Sequence, residues 1–403
     1  MTAIPVQLAS SFSTFTTETY FKINQPSFLC VSCPSSGKTN FSLGIASHLL
    51  NQEKIEQLIV VVPTEHLKHQ WTTNSKKFGI ELNPKCNSLD VDALRESTDA
   101  FDGVCATFSQ ISSNWEFFAC LLKKRTLVII DEVHHLGSEN SWGDCHNRAF
   151  EKATRKLLLS GTPFRSDSIP ISFVQYDEEN TCIADFSYSL SEALRDGIVR
   201  ELEFITKNGA VSWDDSQTIH STCLNNELSD YQRGRAVRTA LAPKLPFISQ
   251  LLKEADKKLD ELRKDHYDAG GLIIASDIAH ATELKNILES VNKLEVLLVT
   301  SKDPSSSSII EKFEKGQGKW LVTVKMVSEG VDIPRLRVLV YATSIRTEMF
   351  FQQAVGRVIR TTNDPPCTNA NMEIPQTNQI GNGISFKISL IGCISPPKIL
   401  NLT

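Results

Sequence analysis

The sequence predicts an α/β protein built as two tandem units, each a mainly parallel sheet covered by helices. Short runs rich in Val, Ile and Leu alternate with helical stretches, the pattern of strands buried on both faces. The same alternation restarts beyond residue 269. The chain has 403 residues, 41% hydrophobic and 22% charged. At about 150 residues per domain that length supports two or three cores.

Residues 1–27 form an N-terminal segment, Ser/Thr-rich at its start and expected to be partly disordered. Residues 28–31, 58–62, 104–107, 127–130 and 157–159 are the expected strands of a first unit at 28–205. Residues 206–268 connect the units. They are polar around Trp213, Asp214 and Asp215, then helical, with Leu251, Leu252, Ala255, Leu259 and Leu262 at helical spacing. Pro243 and Pro246 divide that stretch into two helices. The second unit, 269–360, has its strands at 272–275, 296–300, 320–324 and 338–342. In the tail, 361–403, residues 361–382 are rich in Asn, Pro and Thr and read as loop or disorder. Ile384, Phe386, Ile388 and Leu390 then alternate with polar residues, predicting a closing strand.

Composition excludes several classes. A net charge of −5 excludes nucleic-acid binding by bulk positive charge, but leaves room for a local basic groove. Ten cysteines at uneven spacing make no disulfide framework. The CxxC at Cys30-Val31-Ser32-Cys33 has neither a second pair nor a nearby His, so buried thiols in a reducing compartment fit better than zinc. No apolar run approaches the roughly 18 residues of a membrane span, and no targeting segment opens the chain. A soluble, cytoplasmic protein is expected.

Ser32-Cys33-Pro34-Ser35-Ser36-Gly37-Lys38-Thr39 joins an apolar strand to a helical stretch. Such a turn aims successive backbone N–H groups at a phosphate from a helix N-terminus. Lys38 would reach the β- and γ-phosphates and the Thr39 hydroxyl a Mg²⁺ ion. Ser32 stands where the strict phosphate-loop pattern has its first Gly. Asp131-Glu132-Val133-His134 follows the strand at 127–130. A carboxylate there faces the crevice where parallel sheets bind ligands. Asp131 suits Mg²⁺, and Glu132 suits activating a water. His135 is given no role.

Seven segments in order then resemble helicase motifs I, Ia, Ib, II, III, V and VI. They are residues 32–39; Val62-Pro63-Thr64-Glu65-His66-Leu67-Lys68; Ala106-Thr107-Phe108-Ser109-Gln110; Asp131 to His134; Ser160-Gly161-Thr162-Pro163-Phe164-Arg165; residues 327–334; and Gln353-Ala354-Val355-Gly356-Arg357-Val358-Ile359-Arg360. Over residues 28–360 the chain resembles superfamily 2 helicases of the DEAD/DEAH-box kind, and specifically the restriction-enzyme-subunit and XPB-like type of bacteria and phages. The resemblance implies two RecA-like P-loop domains with ATP and Mg²⁺ between them. Pro34, Ser35, Ser36, Gly37, Lys38 and Thr39 match the phosphate loop, with Thr39 and Asp131 toward Mg²⁺ and Glu132 toward the water. Ser160 and Thr162 match the motif that links hydrolysis to domain movement. Gly330, Asp332 and Gln353 match nucleotide-side positions. Arg357 and Arg360 match the arginines that reach the γ-phosphate. Pro63, Thr64, Thr107 and Ser276 match positions near the nucleic-acid backbone. His66, Lys68 and Trp71 follow, either as added contacts or as solvated and core positions.

The implied function is an ATP-dependent helicase or translocase acting on DNA, less so RNA, without a membrane. Two other readings stay open. One is the ATPase of a restriction or phage-defence system, whose nuclease or loading partner is another chain. The other is a degenerate nucleotide-gated nucleic-acid-binding module. Two features depart from the family pattern. No aromatic–Gln adenine motif precedes Cys30, since Gln7 and Gln25 lack that context. After Arg360 the familiar continuation gives way to the Asn/Pro-rich tail, as truncation or a frame change in the coding sequence would produce.

Overall fold

The computed structural model describes residues 11–85, 100–137, 141–161, 169–214, 218–292, 295–300, 303, 305–324, 333–345, 347–360 and 370–375. The chain divides into two compact units, one ending at Ile198 and the other beginning at Val199.

The first unit opens with helix α1 (Ser11–Ile23), where a partly disordered segment was expected. Ser and Thr are weak helix formers, but α1 is fixed by packing: Tyr20 is buried and meets Phe28 edge-on at 5.2 Å. There follow β1 (Ser27–Ser32), α2 (Lys38–Asn51), β2 (Gln57–Val62), α3 (Glu65–Ser75), β3 (Leu82–Asn83) and β4 (Gly103–Thr107). Then come α4 (Phe108–Ser113), α5 (Trp115–Leu121), β5 (Thr126–Ile130), α6 (Ser141–Phe150) and β6 (Arg155–Ser160). A short hairpin, β7 (Gln175–Tyr176) with β8 (Cys182–Ile183), precedes β9 (Phe186–Tyr188) and α7 (Leu190–Arg195). The main sheet has the order β3-β4-β2-β5-β6-β1-β9, parallel throughout. Every residue of β2, β4 and β5 is buried. This is why their sequences show no alternation: both faces of the sheet are covered.

The second unit begins with β10 (Leu202–Lys207), then the antiparallel hairpin β11 (Ala210–Asp214) and β12 (Ile219–Cys223). Helices α8 (Asp230–Ala240) and α9 (Pro246–Leu262) follow, with Pro at the first position of α9, where its missing N–H costs nothing. The remaining elements are β13 (Gly270–Ala275), α10 (Ile278–Asn292), β14 (Val296–Val299), α11 (Ser306–Glu314), β15 (Trp320–Val324), β16 (Leu336–Ala342), α12 (Glu348–Val355) and β17 (Ala370–Pro375). Their sheet, β10-β17-β16-β13-β15-β14, is also wholly parallel. At Gly271 an added Cβ would lie 2.2 Å from the Trp320 ring, so only glycine lets that indole cross β13.

Three expectations change. Strands β11 and β12 pair antiparallel within a region read as polar and helical. Strand β10 pairs in the second sheet, although its first residues were placed in the first unit. Within the segment read as loop, β17 fills the place between β10 and β16. Its backbone pairs with two strands at once, and such ladders outweigh the weak β-propensity of Asn. The strand expected at 384–390 lies outside the described residues. Among those residues no helix is long and apolar enough to cross a membrane.

A buried ionic knot fastens α9 to the second sheet. Lys319, 8% exposed, places its ammonium 2.6 Å from Asp256 and 2.7 Å from Asp260, while Trp320 Nε1 donates to Asp256 Oδ1 at 2.7 Å. Lys319→Ala leaves the Asp256 carboxylate buried without its cation. Removing one partner of such a pair costs about 3–5 kcal/mol. A lowered denaturant midpoint for the second unit is the expected result. An unchanged midpoint would show that the knot adds nothing.

Candidate functional site: the carboxyl edge of the first sheet

Parallel pairing brings five loops to one edge. In sheet order they follow β4, β2, β5, β6 and β1, and each carries a segment singled out in the sequence. The loop after β1 ends at Gly37, whose φ of 100° requires glycine and which opens α2 without a side-chain cap. The first N–H groups of this 14-residue helix therefore have no capping side chain to satisfy them. Ser35 also has positive φ, 67°, a conformation costing a non-glycine residue roughly 1–2 kcal/mol. Lys38 Nζ donates to the carbonyls of Ser32 at 2.8 Å and Cys33 at 3.3 Å, folding the lysine back over the loop. Ser32, the residue in place of the usual Gly, accepts a hydrogen bond from Ser36 Oγ at 3.0 Å. Thr39 sits in the first turn of α2. Burial pushes the Cys30 and Cys33 thiols up to about 12 and about 11, which keeps them protonated and inert.

Asp131 continues the β5 ladder, its N–H donating to Val61 O at 2.9 Å, and is 7% exposed. Both carboxylate oxygens have donors. Glu132 N–H reaches Oδ1 at 3.1 Å and the Trp71 indole N–H reaches Oδ2 at 3.0 Å. Burial, and next the Glu132 charge, raise the Asp131 carboxyl to about 6, against the opposing pull of Trp71 and Lys38. Glu132 itself has φ 52°, the kind of backbone strain that collects at functional sites. His134 Nδ1 lies 3.1 Å from Ser160 Oγ and 3.4 Å from Glu132 Oε2. It bridges the segment after β5 to the end of β6. A Cβ added at Gly161 would lie 3.6 Å from Ser32 O and 3.8 Å from Lys38 Nζ, so this segment also touches the phosphate loop. Thus the structure brings residues 32–38, Asp131, Glu132 and Ser160 together. Thr162 lies outside the described residues.

On the other half of the edge, Pro63 follows β2 and Thr64 caps α3, its Oγ1 accepting from Leu67 N at 3.3 Å. Thr107 caps α4 in a reciprocal box with Gln110. Helices α3 and α4 are tied together by polar contacts. Lys68, read in sequence as a contact or a solvated residue, is 2% exposed; it pairs with Glu65 at 2.8 Å and reaches Gln110 Oε1 at 3.4 Å. Gln110 Nε2 in turn donates to Glu65 Oε1 at 3.1 Å. Trp71 is core, 1% exposed, but its bond to Asp131 was missed. No local pattern reveals a contact between residues 60 apart.

The second unit holds its own segment together. Ser276 N–H donates to His280 Nδ1 at 3.2 Å and Ser276 Oγ to Ala342 O at 3.4 Å. Gln353 lies on α12, with Nε2 buried and without a hydrogen-bond partner among the described residues. Arg357 and Arg360 are half-buried just beyond α12. Arg200, unremarked in the sequence, is buried and donates to the carbonyls of Leu336 at 3.0 Å and Pro334 at 3.3 Å; its N–H bonds Ile359 O at 2.7 Å. Val199 bridges Arg360. Gly330 and Asp332 lie outside the described residues.

The first-unit residues fit a phosphate chain with a hard divalent cation: uncapped helix N–H groups, a lysine, and a buried carboxylate that a cation would hold ionised. Among the described residues no cluster of three or more His, Cys, Asp and Glu stands ready for a metal. Because Asp131 has a raised value, its contribution to metal-free stability is whole below the ordinary 3.8 and is lost as pH rises through about 6. Asp131→Asn is therefore expected to raise the thermal midpoint of metal-free protein at pH 8, with the gain shrinking toward pH 4. A gain independent of pH would contradict this.

Two family models match the chain: type III restriction enzyme, res subunit, over residues 13–165, and helicase conserved C-terminal domain over residues 254–362. An uncharacterized protein of Mycobacterium leprae (strain TN) is 43% identical over 354 residues, which are 86% of this chain and 58% of the relative. The chain thus spans just over half the length of that relative. The DNA 3'-5' translocase XPB2 of Sulfurisphaera tokodaii is 23% identical over 351 residues, 81% of this chain and 73% of that protein. A solved fragment described as an HsdR subunit of a type I restriction enzyme from Vibrio vulnificus YJ016 superposes with a TM-score of 0.60 at 16% identity. It covers 90% of this chain and 63% of its own, and it shows the shared fold. With tandem parallel sheets, a phosphate loop and both helicase domains in order, the chain belongs to the superfamily 2 helicases of the restriction-subunit and XPB-like type.

Proposed function

We propose that this chain is an ATP-dependent nucleic-acid translocase that moves along DNA and separates its strands. The observation that carries the reading is the single edge on which the phosphate loop, Asp131, Glu132 and Ser160 adjoin Thr64 and Thr107. A nucleotide site and a strand-binding surface on one rigid sheet can exchange free energy.

In this reading residues 34–37 cradle the phosphates with backbone N–H groups, and Lys38 turns from the Ser32 and Cys33 carbonyls to the phosphate oxygens. Thr39 and Asp131 would hold Mg²⁺, which when bound would supply positive charge against the phosphate oxygens. Glu132 orients the attacking water and takes its proton. His134 and Ser160 carry the change at Glu132 across to β6, and Thr162 extends that link. Arg357 and Arg360 supply guanidinium charge to the γ-phosphate, with Gly330, Asp332 and Gln353 toward the nucleotide. Pro63, Thr64, Thr107 and Ser276 contact the phosphate backbone, which suits a motor that must pass any sequence. At Thr64 the helix cap occupies a lone pair of the hydroxyl oxygen, which leaves its proton to donate to a phosphate. DNA is favoured by the translocase relative. The match to a restriction res subunit favours a second reading, in which the motor serves a nuclease carried elsewhere.

Lys38→Ala is expected to abolish ATP turnover without changing the circular dichroism spectrum. Glu132→Gln should bind ATP, hydrolyse it at least about 100-fold more slowly, as loss of a general base does, and hold single-stranded DNA more tightly. Full turnover in Lys38→Ala would overturn the site assignment. Unchanged turnover in Arg360→Ala would remove the arginine role alone.

A further inference from the structure

Helix α3 joins the two halves of the edge. Its N-cap, Thr64, stands at the strand-binding side, and seven residues on, Trp71 meets the carboxylate assigned to the metal. Two turns of helix separate them by about 10 Å, and residues spaced so share a face. We propose that Trp71 is a positioning residue through which nucleic acid held at α3 sets the orientation of Asp131, and hence its hold on the metal-bound nucleotide.

Three features support this, resting on the function proposed above. First, the Asp131 carboxylate is fixed in rotation by two donors, and only one of them, Glu132 N–H, comes from its own segment. The other, Trp71 Nε1, belongs to α3, so any shift of that helix changes the donor at Oδ2. Second, the indole is 1% exposed and its only donor is spent on Asp131. Burial leaves the ring little freedom, so it moves with the helix. Third, α3 is tied to α4 by the Lys68, Glu65 and Gln110 contacts, and Gln110 also accepts from Thr107 N–H at 2.8 Å. Strand binding at Thr64 and at Thr107 therefore acts on one connected piece. Indirect partners of a metal ligand tune affinity through the orientation of that ligand.

The test uses the full chain, with Mn²⁺ replacing Mg²⁺ and ADP as nucleotide. Free Mn²⁺ is read by electron paramagnetic resonance, with and without saturating single-stranded oligothymidylate. Wild type is expected to bind Mn²⁺·ADP with an affinity that changes when the oligonucleotide is present. Trp71→Phe keeps most of the packing but removes the N–H. It should weaken Mn²⁺ binding on the order of 10-fold and lose the response to oligothymidylate. Phe118→Leu perturbs the packing of α5 on the first sheet while leaving both donors to Asp131 in place, and should keep both properties. Glu65→Ala combined with Lys68→Met, which together remove the contacts tying α3 to α4, should weaken the response, and this pair carries the test if Trp71→Phe does not fold. An intact response in Trp71→Phe, or in the Glu65→Ala and Lys68→Met double variant, overturns this inference alone. A wild type that binds neither Mn²⁺·ADP nor oligothymidylate overturns the functional reading, and this inference with it.

Discussion

Because β4, β2, β5, β6 and β1 run parallel and side by side, their carboxyl ends must emerge along one edge, whatever loops follow. Chemistry spread over 130 residues of sequence is thereby gathered on one rigid rim. The order matters as much as the direction. The strand β5, carrying Asp131, pairs with β2 on one side and β6 on the other. The acidic segment therefore stands between the loops read as gripping nucleic acid and those read as gripping nucleotide.

The rim is held by polar contacts that also store tension. Glu132 is left-handed, Ser35 likewise, and Asp131 is buried well above its ordinary carboxylate range. Each would relax without neighbours to hold it. The neighbours are Trp71 from α3, His134 and Ser160 across to β6, and Lys38 from the phosphate loop. A cation beside Asp131 would offset the cost of burying its charge. In the second unit Arg200 performs a comparable clamp. It gathers Pro334, Leu336 and the end of the Arg357–Arg360 segment around the residues where that unit begins.

The strands and the family were legible because doubly buried strands leave apolar runs, and because motif residues lie close together in sequence. The α/β class, the parallel sheets and the membership all follow from such local signals. The pairing of β11 with β12 was not legible. Trp213 stacks on His220 and Ser212 Oγ donates to Ser221 Oγ, but the outward residues are too mixed to show a period of two. Strand β17 was hidden because its pairing comes from β10 and β16, whose paired residues lie 168 and 33 positions earlier in the chain. Trp71 and Arg200 were hidden for a related reason. Each acts through partners that only the folded chain brings near.

The central claim is that the nucleotide and strand surfaces of this chain act as one coupled motor. Steady-state ATP hydrolysis by the full chain, measured alone and with single-stranded DNA, duplex DNA or single-stranded RNA, tests it most directly. Slow basal turnover with strong stimulation by DNA is the expected result. Turnover that ignores every nucleic acid, or none at all under any condition, would contradict it.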